Sequence, residues 1–334
     1  MAAAALTLAG LSGCALQSAS LHEQWPRDLP VARELESTPF FPQTAYHCGP
    51  AALATAVGAM GKSVDPEVVA EHIFLPSRQG TLQVEMMAGV RREGLVPTRI
   101  PKTVESVLRE IAAGNPVVVL QNLGLSMVPV WHYAVVVGYD RQGDELVLRS
   151  GTVRRERMSI RTFELTWARA GSWAFVALPP GRWPLTADAD AAIEAAVGFE
   201  RVGTPEMALR TYASAVQRWP EAVTLAIGLG NTAYAAGQMA LAADAFSDAA
   251  QRLDSLPARV NLARTLLDAG HPRAALETAS AAVTAAKARS DATWDGPLKE
   301  VMREAEAAVR GTPSPVASER NLRTRRSSNA SAVR

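Results

Sequence analysis

Three glycines, Gly203, Gly237 and Gly270, stand 34 and 33 residues apart in the second half of the chain. The same small residues recur around each. Five residues on lie Ala208, Ala242 and Ala275; four further lie Tyr212, Phe246 and Ala279; three beyond those lie Ala215, Ala249 and Ala282. Seven residues before the glycines stand Ala196, Gly230 and Ala263. A period of this length describes one supersecondary unit stacked on copies of itself, because a single unit cannot bury its apolar face alone. Small residues let two antiparallel helices approach, and larger ones fill the gap between units. The glycine ends the first helix of each unit, where a positive φ is expected. Residues 188–310 are alanine-rich and read as helix throughout, so this half is expected to form an all-α solenoid.

The pattern resembles the tetratricopeptide repeat. Pro220 and Pro257 fall near the ends of second helices, as that pattern requires. Three repeats and a capping helix around 293–309 are expected. The resemblance implies a concave groove that receives a peptide or a protein partner.

The chain begins MAAAALTLAGLSGC, a short uncharged apolar run ending in small residues. It is too short to span a bilayer as a mature helix and fits the apolar part of a secretory signal, although no Lys or Arg precedes it. Leu11-Ser12-Gly13-Cys14 resembles a bacterial lipobox. That resemblance implies lipidation of Cys14 and membrane attachment through the lipid. It also implies a place in the cell envelope; with Ala15 following the cysteine, this is the outer membrane, facing the periplasm. Residues 1–14 are thus expected to be a lipoprotein signal and 15–38, with Pro26 and Pro30, a tether. The arginine- and serine-rich end, 311–334, is expected to be disordered. The net charge of +1 provides no electrostatic basis for nucleic acid as a partner.

Between tether and repeats, residues 39–183 mix helical and strand signals. The chain has only two cysteines. If Cys14 carries lipid, Cys48 is a lone thiol. Cys48 stands in Gln43-Thr-Ala-Tyr-His-Cys-Gly-Pro-Ala-Ala-Leu53, just before a run that reads as helix, with Pro50 in its first turn and Gly61 at its end. A cysteine at a helix N-terminus is either a small buried apolar residue or a thiol whose anionic form the helix dipole favours. Further helices are expected at 66–74, 82–93 and 104–113, capped by Asp65, Thr81 and Thr103 and stopped by Gly94 and Gly114. Strand signals follow at 117–122, 132–139, 145–149, 155–160 and 174–178, with a turn at 141–144. Helices before an antiparallel sheet describe an α+β domain. His132 opens the strongest strand signal. An imidazole beside a thiol gives a pair able to attack a carbonyl at neutral pH. Among the other histidines, His22 lies in the tether, His271 in the repeats and His72 on a helix of surface character, while His47 adjoins Cys48 too closely for an in-line pair.

Gln43, Cys48-Gly49-Pro50-Ala51 and His132-Tyr-Ala-Val-Val-Val-Gly-Tyr139 together resemble the papain-like cysteine peptidases related to the bacteriocin-processing, double-glycine leader peptidases. The resemblance covers about 39–180. It implies a papain-like fold, a peptide or protein substrate, Cys48 as nucleophile and His132 as general base and later acid. It also implies Gln43 as an oxyanion donor beside the Cys48 backbone N–H. That family usually carries an aspartate at the end of the strand after the histidine strand; here Ser150 falls in its place. Ser150 is therefore the candidate for orienting His132, with Gln121 or Asn122 on the neighbouring strand as alternatives. Asp140, Asp144 and Glu145 cluster around the hairpin turn, away from that position.

Two cysteines cannot build a zinc–thiolate cluster, and the sequence has neither HExxH nor GxxxxGK[ST]. No cofactor is expected. Three functions remain open: an exported peptidase, a peptidase-like binding module with weakened catalysis, and a transferase that passes the acyl group to an amine rather than water.

Overall fold

The computed structural model describes residues 17–43 and 47–311, and the chain divides into two units, one ending at Gly203 and one beginning at Thr204. The lipobox at Cys14, the signal segment and the tail fall in residues 1–16 and 312–334, outside the described residues.

The first unit opens with α1 (Gln17–Glu23) and β1 (Ala32–Glu34), then α2 (Cys48–Gly58), α3 (Pro66–Ile73), α4 (Gln83–Arg92), β2 (Val96–Arg99) and α5 (Val104–Ala112). Next come β3 (Val117–Asn122), β4 (Trp131–Asp140), β5 (Glu145–Ser150), β6 (Val153–Ser159), α6 (Ile160–Ala168), β7 (Ala174–Leu178) and α7 (Ala189–Glu200). Seven strands form one antiparallel sheet in the order β2-β7-β3-β4-β5-β6, with β1 also on β4. β3 pairs with residues 131–136 of β4, and β1 continues that edge at 138–140. Gly138 permits this crossing, because a Cβ there would lie 2.9 Å from the Arg33 carbonyl oxygen.

Strand alternation sends apolar residues to both faces of the sheet. Tyr133, Val135 and Val137 pack with Leu53 and Val57 of α2, Ile73 of α3 and Met86 of α4. Ala134 and Val136 pack with Val107 and Ile111 of α5 and with Phe163 and Trp167 of α6. A sheet covered on both faces explains why its strands read as unbroken apolar runs.

The local signals hold at several ends. Asp65 caps α3 by accepting from the Glu67 N–H, and Thr103 caps α5 by accepting from the Ser106 N–H. Gly61, Gly94 and Gly114 all have positive φ. Thr81 does not cap α4, which begins after Leu82. Four elements carry no local signal strong enough to show: α1, β1, β2 and α6. Residues 17–38, expected as a tether, instead belong to the first unit. The Glu164 carboxylate on α6 accepts the Gln17 and Ser18 N–H groups at 2.7 and 2.8 Å, capping α1 from outside, and β1 is held by β4. α7, expected to open the repeats, also belongs here; its Ala195 and Phe199 pack on Val96 of β2.

The second unit consists of α8 (Pro205–Arg218), α9 (Val223–Ala235), α10 (Met239–Arg252), α11 (Leu256–Asp268), α12 (Pro272–Ala288) and α13 (Asp295–Val309), each packed on the next. The repeating residues are its core: Ala208, Tyr212, Ala215, Ala242, Phe246, Ala249, Ala275, Ala279 and Ala282 are all buried. A Cβ at Gly230 would lie 2.4 Å from the Phe246 ring, and one at Gly228 would lie 2.2 Å from Tyr212. Each large ring on one helix thus rests on a glycine of its neighbour. Gly237 and Gly270 have positive φ at helix ends, as the repeat requires, but Gly203 does not. Instead a Cβ at Gly203 would collide with the Phe199 ring at 2.7 Å. No helix among the described residues is long and apolar enough to cross a membrane.

Candidate active site

Cys48 is the first residue of α2. Pro50 sits in the first turn, where its missing N–H costs no intrahelical bond. Gly49 is demanded by packing: a Cβ there would lie 2.5 Å from Thr81 Oγ1. That hydroxyl is buried beside the start of α2 without a hydrogen-bond partner. The Cys48 side chain packs at the edge of the apolar core under α2.

His132 enters from β4. Alternation directs it to the face of Ala134 and Val136, while Tyr133 turns toward α2. His132 Nε2 lies 2.9 Å from Ser150 Oγ. The contact engages Nε2 and leaves Nδ1 as the other ring nitrogen. Ser150 ends β5, just before the turn at Gly151, whose φ is positive. The Gly151 carbonyl accepts the Gln43 N–H at 3.0 Å. The strand end that holds His132 thereby also holds the backbone of Gln43, on the segment leading to Cys48.

The two alternatives to Ser150 are engaged elsewhere. Gln121 lies directly opposite His132 in the β3–β4 register but donates to Thr166 Oγ1 at 2.7 Å. Asn122 organises the loop that follows, accepting the Gly124 and Val130 N–H groups. Neither side chain bonds the imidazole.

Two charged side chains that the sequence reading missed frame the site. Arg149, itself buried, donates to the carbonyls of Glu36, Thr38 and Arg154, fastening the segment before Cys48 to the β5–β6 corner. Glu156 raises the proton affinity of His132 through space, against the larger effect of burial, and the net shift of the imidazole is downward. Neither residue belongs to a local motif; each matters only through a distant partner.

Burial pushes the Cys48 thiol upward, and the backbone N–H groups of Tyr133, Gly49 and Cys48 itself oppose this only in part. Both shifts favour the neutral thiol and the neutral imidazole. The helix N-terminus was expected to favour the thiolate; desolvation outweighs it here. Among the described residues no hydrogen bond joins the Cys48 thiol to the His132 ring.

Residues 35–175 match the model of the Peptidase_C39 like family. Among solved structures, a C39-like peptidase of Bacillus anthracis is 18% identical, covering 44% of this chain and 97% of that one, with a TM-score of 0.39. The peptidase domain of Streptococcus ComA, a bifunctional ABC transporter involved in quorum sensing, is 21% identical, covering 42% of this chain and 98% of that one, at 0.35. The TPR2B domain of yeast Sti1, solved with pHsp70, is 16% identical, covering 35% of this chain and 95% of that one, at 0.34. The comparison with curated proteins returns no match. Residues 35–175 are thus similar to the Peptidase_C39 like family, and the helical region that follows them carries the 33- and 34-residue repeat read from the sequence.

Proposed function

We propose that the chain is an exported, lipid-anchored cysteine peptidase whose repeat region recruits a peptide or protein. The observation that supports the chemistry is the 2.9 Å contact between His132 Nε2 and Ser150 Oγ, which holds the ring by one nitrogen. In this reading His132 Nδ1 takes the Cys48 proton as the sulfur bonds to the substrate carbonyl carbon. The oxyanion is held by the Cys48 N–H and the Gln43 side-chain amide. The C–N bond then breaks, the leaving amine takes the proton from His132, and water activated by the same ring hydrolyses the thioester.

The loop between β3 and β4 supports an apolar substrate. Leu125, Met127, Val128, Val130 and Trp131 are all exposed, and Trp131 immediately precedes His132. Such a cluster of exposed apolar side chains marks a contact surface.

The test is cleavage of a peptide library by the full chain, together with labelling by a peptide vinyl sulfone. Turnover and a single adduct on Cys48, both lost in Cys48→Ala, are expected. Neither turnover nor adduct in the parent protein would remove the peptidase reading.

A second reading, a peptidase-like binding module with weakened catalysis, is favoured by one feature. The position that orients His132 carries an uncharged hydroxyl, which cannot stabilise an imidazolium as a carboxylate would. In that case the vinyl sulfone labels slowly or not at all while peptides still bind.

A further inference from the structure

The first unit contains a cavity of about 420 Å³ whose walls include neither Cys48 nor His132. This is within the size range of small-molecule sites. α4 contributes Met87 and Arg91, β2 contributes Arg99, Lys102 follows β2, Trp173 comes from the segment before β7, and Glu194 comes from α7. Three cations thus face one carboxylate.

None of the three cations forms an ion pair among the described residues. Arg91 is the most telling. Its Nε is buried with no hydrogen-bond partner. Its guanidinium lies where a side chain at position 198 would be: a Cβ on Gly198 would come within 2.5 Å of Arg91 Nη2. The glycine therefore keeps open the space this cation occupies. Burial pushes the Arg91 guanidinium downward and Arg201 adds to this; Glu194 opposes it through space without bonding it. Trp173, almost fully buried, and Met87 give the cavity an apolar wall.

From these contacts we infer that the cavity is a binding site for an oxyanion, a carboxylate or a phosphate, carried on a small apolar body. Arg91 and Arg99 bind the oxyanion, Lys102 adds charge at the exposed rim, and Trp173 and Met87 hold the apolar part. Guanidinium groups suit this role because their planar donors match both carboxylate and phosphate geometry. Glu194 competes with the ligand for Arg91. Thiol chemistry at Cys48 plays no part in this site.

Titration calorimetry on the full chain tests it with three probes: hippurate, phenyl phosphate and the neutral hippuramide. At least one anion is expected to bind, with affinity falling as salt rises, while hippuramide does not. Tighter hippurate points to a carboxylate source such as a peptide end, and tighter phenyl phosphate points to a phosphate ester. Lys102→Gln with Arg99→Gln should weaken the anion about tenfold, and Glu194→Gln should tighten it about threefold. Lys102→Gln alone, at an exposed position, keeps the test valid if the Arg99 change unfolds the chain. The site is refuted if neither anion binds, if hippuramide binds equally, or if Lys102→Gln and Glu194→Gln leave the affinity unchanged.

Discussion

His132 and Ser150 meet at 2.9 Å across β4 and β5 although 18 residues separate them in the chain. The hydroxyl holds the ring at Nε2, and burial pushes the imidazole toward its neutral form. Ser150→Ala should lower turnover on any cleaved peptide about tenfold. Ser150→Asp should raise the His132 pKa, measured by NMR titration of the ring, and speed thiol alkylation at neutral pH. An unchanged titration in Ser150→Asp would place the new carboxylate away from the ring.

The Cys48 thiol is pushed up by burial and His132 is pushed down. Iodoacetamide alkylation, followed by intact mass, should therefore accelerate only above the ordinary thiol range of about 8.5. The linkage has a definite sign. A raised thiol contributes stability that is full below its unfolded value and lost as pH rises through the folded one. A lowered imidazole contributes stability that is full above about 6.5 and lost as pH falls through its folded value. Cys48→Ala should thus flatten the alkaline limb of a Tm–pH curve, and His132→Asn the acid limb. Fast alkylation at acidic pH would show an ion pair instead.

Glu110 is fully buried, and its carboxylate accepts from the Asn115 side chain, the Leu185 and Thr186 N–H groups and the Thr186 hydroxyl. Glu110→Ala would strand these donors and should cost about 3 kcal/mol, read from chemical denaturation. Faster proteolysis near 184–187 should accompany the loss.

Gly230 lies under the Phe246 ring with no room for a methyl group. Gly230→Ala should destabilise the second unit by about 1–3 kcal/mol despite the higher helix propensity of alanine. Gly230→Ala with Phe246→Leu should recover part of the loss. A thermal melt that rises in the single variant would contradict this packing.

Lipidation is tested at Cys14. Cys14→Ser should abolish palmitate labelling and release the protein from the membrane fraction of a bacterial host. Retained labelling would remove the lipobox reading.

Much of the fold was legible because its signals are local. The β3–β5 runs are apolar on both faces, Asp65 and Thr103 cap through side chains two or three residues away, and Gly61, Gly94 and Gly114 close turns. The elements that escaped notice depend on distant partners. α1 is capped by Glu164 and β1 exists only as a strand on β4. Within the site, the Gln–Cys-Gly-Pro and His-to-Gly-Tyr spacing pointed to Cys48 and His132, but Arg149 and Glu156 had no motif to reveal them.

The sequence by itself determined the two architectures, through the 33- and 34-residue period and the alternating apolar runs, because periodicity dictates which faces must be buried. It also nominated Ser150 beside His132. Only the tertiary structure decided between Ser150, Gln121 and Asn122, since three polar side chains near one strand start differ only in where they point. It alone set the protonation balance at Cys48, where the helix dipole and desolvation oppose each other and the depth of burial decides which is larger.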